Sequence, residues 1–221
     1  MATPLRIDFV SDVACPWCVI GLRSLMKALE AVGDDVEAEI HFQPFELNPD
    51  MAPEGENTTE HVIKKYGSNP ERSAASRNAM KESGDALGFT FNYGPQSRIW
   101  NTFDAHRLLH WAGVEGKQHE LKEALFKANF TDQLSTSDHE VLVGAAVAAG
   151  LDEERARQVL ASGEFTDEVR RDEMLWRNRG ISAVPSVIFN QRWMVQGGQP
   201  PQVFEQAIRQ IVSGNAEEAR A

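Results

Sequence analysis

The 221-residue chain has only two cysteines, Cys15 and Cys18, and no hydrophobic run near the ~18 residues a membrane-spanning helix needs. Two cysteines are too few for a disulfide-stapled scaffold and leave a zinc site two ligands short. Basic residues are also scarce. Lys and Arg number 22 against 33 Asp and Glu, a formal net charge of -11, which argues against a surface that tracks nucleic-acid phosphates. Internal repeats and low-complexity tracts are missing as well. The first six residues, Met1 to Arg6, place no apolar segment behind a basic start, so no signal peptide is expected and the default location is cytoplasmic, away from membranes. Thiols there are mostly kept reduced, and a lone C-x-x-C is redox-active or metal-binding more often than a structural staple.

What is present is ordinary for a globular protein, with 42% hydrophobic and 25% charged residues. Chemistry concentrates in one stretch, Ile7 to Gly21. It reads as a buried strand, a short turn, and a C-x-x-C pair where an amphipathic helix begins. Pro16 lacks an N–H and has its φ already near the helical value, which suits the first helical position. Cys15 then falls at the N-cap, and Cys18 is the third helical residue, whose backbone N–H the Cys15 sulfur is expected to accept. The helix dipole adds positive partial charge at the same end, and both effects favour an ionised sulfur on Cys15. Asp12 works against a second negative charge nearby. Cys15 is therefore the expected nucleophile, and Cys18, one turn further in, the resolving cysteine.

Along the chain, Leu5 to Val10 alternates as a strand, and Val19, Leu22, Leu25, Met26 and Leu29 form a helical stripe that ends at Gly33. Val36 to Phe45 alternates again, and a crossover connection would make the two strands parallel. From Asn48 to Asn57 a loop leaves the sheet. Helical patterns then cover 59–66, 70–87, 102–112, 119–129, 138–149, 153–162 and 166–178, with glycines as stops and Asp138 and Asp152 as caps. Phe89 to Tyr93 has the pattern of a short extended segment. Ser186 to Phe189 and Arg192 to Gln196 read as a hairpin turning at Asn190-Gln191, before a last helix opened by Pro200-Pro201. The expected organisation is one α/β sheet domain from residues 1–50 and 180–213, an all-helical insertion over 51–179, and a frayed tail over 214–221.

Cys15-Pro16-Trp17-Cys18 after a first strand, a mid-chain helical insertion, and Val184-Pro185-Ser186 opening a late strand resemble the thioredoxin-fold proteins of the DsbA-like superfamily. Asn101 to Leu108 also resembles a segment of its FrnE-type subgroup. The superfamily includes 2-hydroxychromene-2-carboxylate isomerases and kappa-class glutathione transferases, which usually carry serine where Cys15 stands. The resemblance implies a thioredoxin fold with a large helical insertion, thiol-disulfide oxidoreductase activity, and a cis Pro185 opposite Cys15. Pro185 would put no N–H beside the sulfur and leave Val184 free to pair with an extended substrate. FrnE-type proteins tend to have Ser-Gly-Ala-Gln before the last helix. This chain has Gln196-Gly197-Gly198-Gln199, without the serine.

The substrate-binding expectation comprises Pro16, Trp17, Val184, His106 and Gln199. Trp17 offers a contact surface between the cysteines. His106, with Arg107 and Asn101, is placed on the cap side of the cleft, and Gln199 at a helix N-terminus that can hold an anion. His106 and His110 share a helix face, but without a third ligand no metal is expected. No organic cofactor is needed for cysteine exchange. Expected partners are thiol- or disulfide-containing proteins or small molecules, with a homodimer left open. Two alternatives stand beside the redox reading: a glutathione-dependent isomerase or transferase, with glutathione as co-substrate along Val184, and a non-catalytic binding protein or chaperone.

Overall fold

A computed structural model describes residues 2–214. The expected tail lies, from residue 215 onward, outside the described residues. β1 (Thr3–Ser11) is central in a four-stranded sheet of order β2-β1-β5-β6. It pairs parallel with β2 (Val36–Pro44), Ile7 opposite Ile40 and Phe9 opposite Phe42, and antiparallel with β5 (Ser186–Phe189). β6 (Trp193–Gln196) closes the hairpin, with Asn190 and Gln191 at positive φ in its turn. Both neighbours of β1 are strands and Ile7 to Ser11 are all buried, so the polar Asp8 in its centre is paired, accepting from the Arg6 and Gln43 side chains.

The side-chain period of two sorts β1 between two cores. Leu5, Ile7 and Phe9 face α1 (Pro16–Val32) and α9 (Pro201–Val212), where Leu22, Leu25, Phe204 and Ile208 complete the cluster. Val10 faces the other side, packing with Phe45, Ile188 and Trp176 of α8 (Thr166–Asn178). A third cluster lies within the helices between the sheet halves. There Leu108 of α4 (Phe103–Val114), Leu121 of α5 (Gln118–Phe126), Leu142 of α6 (His139–Ala148) and Val159 of α7 (Glu153–Ser162) pack around Val13. The expected caps form: Asp138 accepts from Glu140 and Val141 N–H, and Asp152 from Arg155 N–H.

Three local expectations are corrected. The 48–57 stretch is not all loop, because Glu56–Asn57 (β3) pairs with Arg98–Ile99 (β4) ahead of α2 (Thr58–Tyr66) and α3 (Pro70–Ala86). Phe89 to Tyr93 pairs with no strand; its rings pack instead, Phe91 stacked on Tyr93 and edge-to-face with Phe130. The 119–129 helix leaves α geometry after Phe126 for a π-helical turn over Lys127–Thr131. No helix among the described residues is long and apolar enough to cross a membrane.

Candidate active site

Cys15 occupies the N-cap of α1 and Pro16 its first turn, as proline chemistry dictates. The expected sulfur cap does not form. The Cys18 N–H bonds the Cys15 carbonyl at 3.0 Å, and the Cys15 thiol donates to the Val184 carbonyl at 3.6 Å. The backbone turn already satisfies the Cys18 N–H, which leaves the sulfur to bond across the cleft. The Val184–Pro185 peptide is cis. Pro185 packs on α1 at Gly21, where a Cβ would stand 2.9 Å from Pro185 Cγ. Gly198 makes room in the same way for Trp17, whose ring and carbonyl a Cβ would approach at 3.0 Å.

Cys15, Pro16, Trp17 and Val184 line a cavity of about 750 Å³, within the range of small-molecule sites. α2 and α3 supply its far wall, and the π-helical turn contributes Asn129 and Phe130. Cys18 is fully buried and absent from this wall. Burial, and then the hydrogen bond from Cys15, push the Cys18 thiol well above the ordinary range. One sulfur meets the cavity and the other waits behind it.

Two sequence-derived assignments are corrected. His106 does not line this cavity. α4 carries it behind the cysteine turn, into the wall of a second cavity, with Nε2 3.6 Å from Asp12 Oδ1. Arg107 binds the carbonyls of Glu164 and Val159 instead of a cleft, and Asn101 holds the Met51 carbonyl. Gln199 also lies outside the main cavity. Its Nε2 donates to the Gln196 carbonyl at 2.9 Å, closing its own loop.

Further charged groups lie around the site, Asp12 expected from its nearness in sequence and Glu46 not. Asp12 accepts from Ala14 N at 3.1 Å and Leu47 N at 2.7 Å. Burial works to raise its pKa, but His106 and these two N–H groups outweigh that and hold it below the usual carboxylate range. Its charge is thus already engaged. Glu46, in the main cavity wall, pairs with Arg170 while its backbone N–H donates to Glu173. Burial and then Glu173 push Glu46 up to about 7. Lys122 is buried on α5, its ammonium 5.0 Å from the Phe126 ring centroid. Here a signal did exist, because Lys122 shares its helix face with Leu125 and Phe126. Among the described residues no cluster of three His, Cys, Asp or Glu is arranged to hold a metal.

With this geometry the comparisons agree. A DsbA-like thioredoxin domain model matches residues 6–209. The chain belongs to the DsbA-like thioredoxin family. It is 35% identical to a probable DsbA oxidoreductase from Streptomyces coelicolor, with a TM-score of 0.89 over 95% of this chain and 90% of that one. The Bacillus subtilis (strain 168) protein YwbO is 26% identical over 205 residues, 92% of this chain and 96% of that protein. A 2-hydroxychromene-2-carboxylate isomerase shares the DsbA-like fold, with a TM-score of 0.72 at 14% identity over 96% of this chain and 98% of that one.

Proposed function

We propose that this DsbA-like protein is a thiol-disulfide oxidoreductase of FrnE type, with Cys15 as nucleophile and Cys18 as resolving cysteine. The observation that carries the reading is the asymmetry of the pair: Cys15 lines the cavity and Cys18 lies behind it. The Cys15 thiolate attacks a substrate disulfide, forming a mixed disulfide and releasing one thiolate. Cys18 then attacks the Cys15 sulfur, the second substrate thiolate leaves, and the cysteines end as a disulfide. Every electron comes from the cysteine pair, so this chemistry draws on no metal or organic cofactor. Val184 and Trp17 provide a backbone carbonyl and an aromatic face for an extended substrate. A cytoplasmic location would favour reductase or isomerase work, with a disulfide-bearing protein or small molecule as partner.

Insulin reduction and refolding of scrambled ribonuclease test the proposal. Cys15→Ser is expected to abolish both, and Cys18→Ser to accumulate mixed disulfides. Equal activity of Cys15→Ser and wild type would remove the redox reading.

A second reading has its own support. The cavity wall of this acidic protein carries Lys65, Arg72, Arg77, Arg98 and Arg177 against the single carboxylate of Glu46. Such a surface fits an anionic thiol such as glutathione, the co-substrate of an isomerase or transferase in which Cys15 stabilises the thiolate without forming a disulfide. Saturable glutathione binding with activity retained in Cys18→Ser would favour it.

A further inference from the structure

Charge in the main cavity wall is held in place without being neutralised. Its cations are Lys65 of α2, Arg72 and Arg77 of α3, Arg98 of β4 and Arg177 of α8. Four of them bond neutral acceptors. Lys65 Nζ donates to the Leu47 carbonyl at 2.7 Å and to Asn48 Oδ1 at 2.6 Å, and Arg77 donates to Thr59 Oγ1 at 3.2 Å. Arg98 donates to the Glu54 and Gly55 carbonyls at 2.7 and 2.8 Å, and Arg177 to the Glu46 carbonyl at 2.9 Å. Arg72 is exposed, and its guanidinium has no partner among the described residues. None of the five forms an ion pair within the described residues. The one carboxylate in the wall, Glu46, is already taken by Arg170.

A buried nitrogen on the same wall is also left open. His61 of α2 is only 9% exposed and lines the cavity. Its Nδ1 lies 2.6 Å from Glu56 Oε2, which leaves Nε2 at the opposite edge of the ring, where it has no hydrogen-bond partner. Both ends of this contact are fixed by the backbone. Glu56 is paired in β3, and the next residue, Asn57, caps α2 by accepting from Thr59 and Glu60 N–H. A buried polar atom without a partner costs stability unless a ligand completes it.

Resting on the thiol-disulfide reading above, we propose that this wall binds a phosphate group, so that the substrate is a small phosphate-bearing disulfide whose sulfur Cys15 attacks in the same cavity. A phosphate monoester carries about -1.5 to -2 charges near neutral pH and three acceptor oxygens, which suit the forks of several guanidinium groups. Carboxylates are the weaker match. An amino-acid thiol such as glutathione brings an ammonium with its carboxylates, and the wall has no free carboxylate to receive it. Met80 and Phe130 give the uncharged arm of the substrate an apolar surface. In the exchange, the Cys15 thiolate forms a bond to one substrate sulfur, the substrate S–S bond breaks, and the other sulfur leaves with the electron pair. Cys18, giving its proton to water, then bonds the Cys15 sulfur and expels the second substrate thiolate. The cysteine pair is oxidised, and the substrate is reduced to two phosphate-bearing thiols.

The test compares the disulfide of phosphopantetheine with pantethine, the same molecule without phosphate, as oxidants of the reduced full-length protein. Second-order rate constants come from free thiols counted after an acid quench. The phosphorylated disulfide is expected to react at least about tenfold faster, the scale of one charge-assisted hydrogen bond. Arg72→Gln, at an exposed position where folding is not at stake, should lower that ratio about threefold or more, and so should Arg98→Gln. Rates within about twofold for the two disulfides, a ratio unmoved by both substitutions, or glutathione disulfide reacting as fast as the phosphorylated compound would each overturn the proposal. Binding separates it from the parent reading. Cys15→Ser protein, followed by calorimetry, should bind phosphopantetheine more tightly than pantetheine. If that preference holds while neither disulfide oxidises wild type, the thiol-disulfide reading fails and the phosphate site stands; equal binding removes the site itself.

Discussion

At Gly21 a hydrogen atom is all the space allows, since any Cβ would meet the stiff ring of Pro185 at 2.9 Å. Gly21→Val is expected to lower stability by about 1–3 kcal/mol through overpacking, read from the urea midpoint. It should also slow exchange at Cys15, because the Val184 carbonyl moves with the proline. Glu46 makes a second prediction at this scale. Its folded pKa is raised from 4.5 to about 7, so the folded state binds the proton more tightly than the unfolded chain. The contribution is full below about 4.5 and is lost as pH rises through about 7. Urea midpoints of Glu46→Gln should therefore fall less across that window than those of wild type. A parallel decline in both proteins would assign the pH dependence elsewhere.

Among the elements, α5 does more than fill the insertion. Its first residue, Gln118, satisfies both backbone groups of Phe42 on the edge strand. Gln118→Ala would leave an N–H and a carbonyl short of partners, at a cost of about 1–3 kcal/mol. The urea midpoint of Gln118→Ala against wild type measures that cost, and an unchanged midpoint would show that water replaces both bonds. The π-helical turn after Phe126 has a similar role toward the front of the site, where Asn129 bonds the Val13 carbonyl at 3.4 Å and Phe130 joins the cavity wall.

Over the whole molecule, charge is distributed against its own average. The chain carries a net -11, yet cations predominate in the main cavity wall. Anionic disulfides should therefore react faster than cationic ones of similar size, and the preference should shrink as salt rises. Glutathione disulfide against cystamine is the comparison, read as second-order rate constants at low and high ionic strength. Arg72→Glu is expected to reduce the ratio. A ratio that ignores both salt and this substitution would mean that the cavity cations serve the fold alone.

Much of this protein was written locally. Proline at the first helical position, the alternation of β1, the hairpin around Asn190-Gln191 and the caps Asp138 and Asp152 all act over a few residues, so periodicity and backbone chemistry suffice to read them. The Cys15-Pro16-Trp17-Cys18 turn was legible for the same reason. The side of the turn on which each polar group lies was not. His106 falls behind the cysteines instead of over them, and Gln199 folds back on its own loop. Lys122 and Glu46 reach the site from distant segments. Local sequence determined a cysteine pair at a helix start, because the forces involved are short in range along the chain. The order of the pair was expected from the helix start, and Cys15 does line the main cavity with Cys18 fully buried; which charged groups lie around them was decided only by tertiary packing, since burial and electrostatics depend on what the rest of the fold brings alongside.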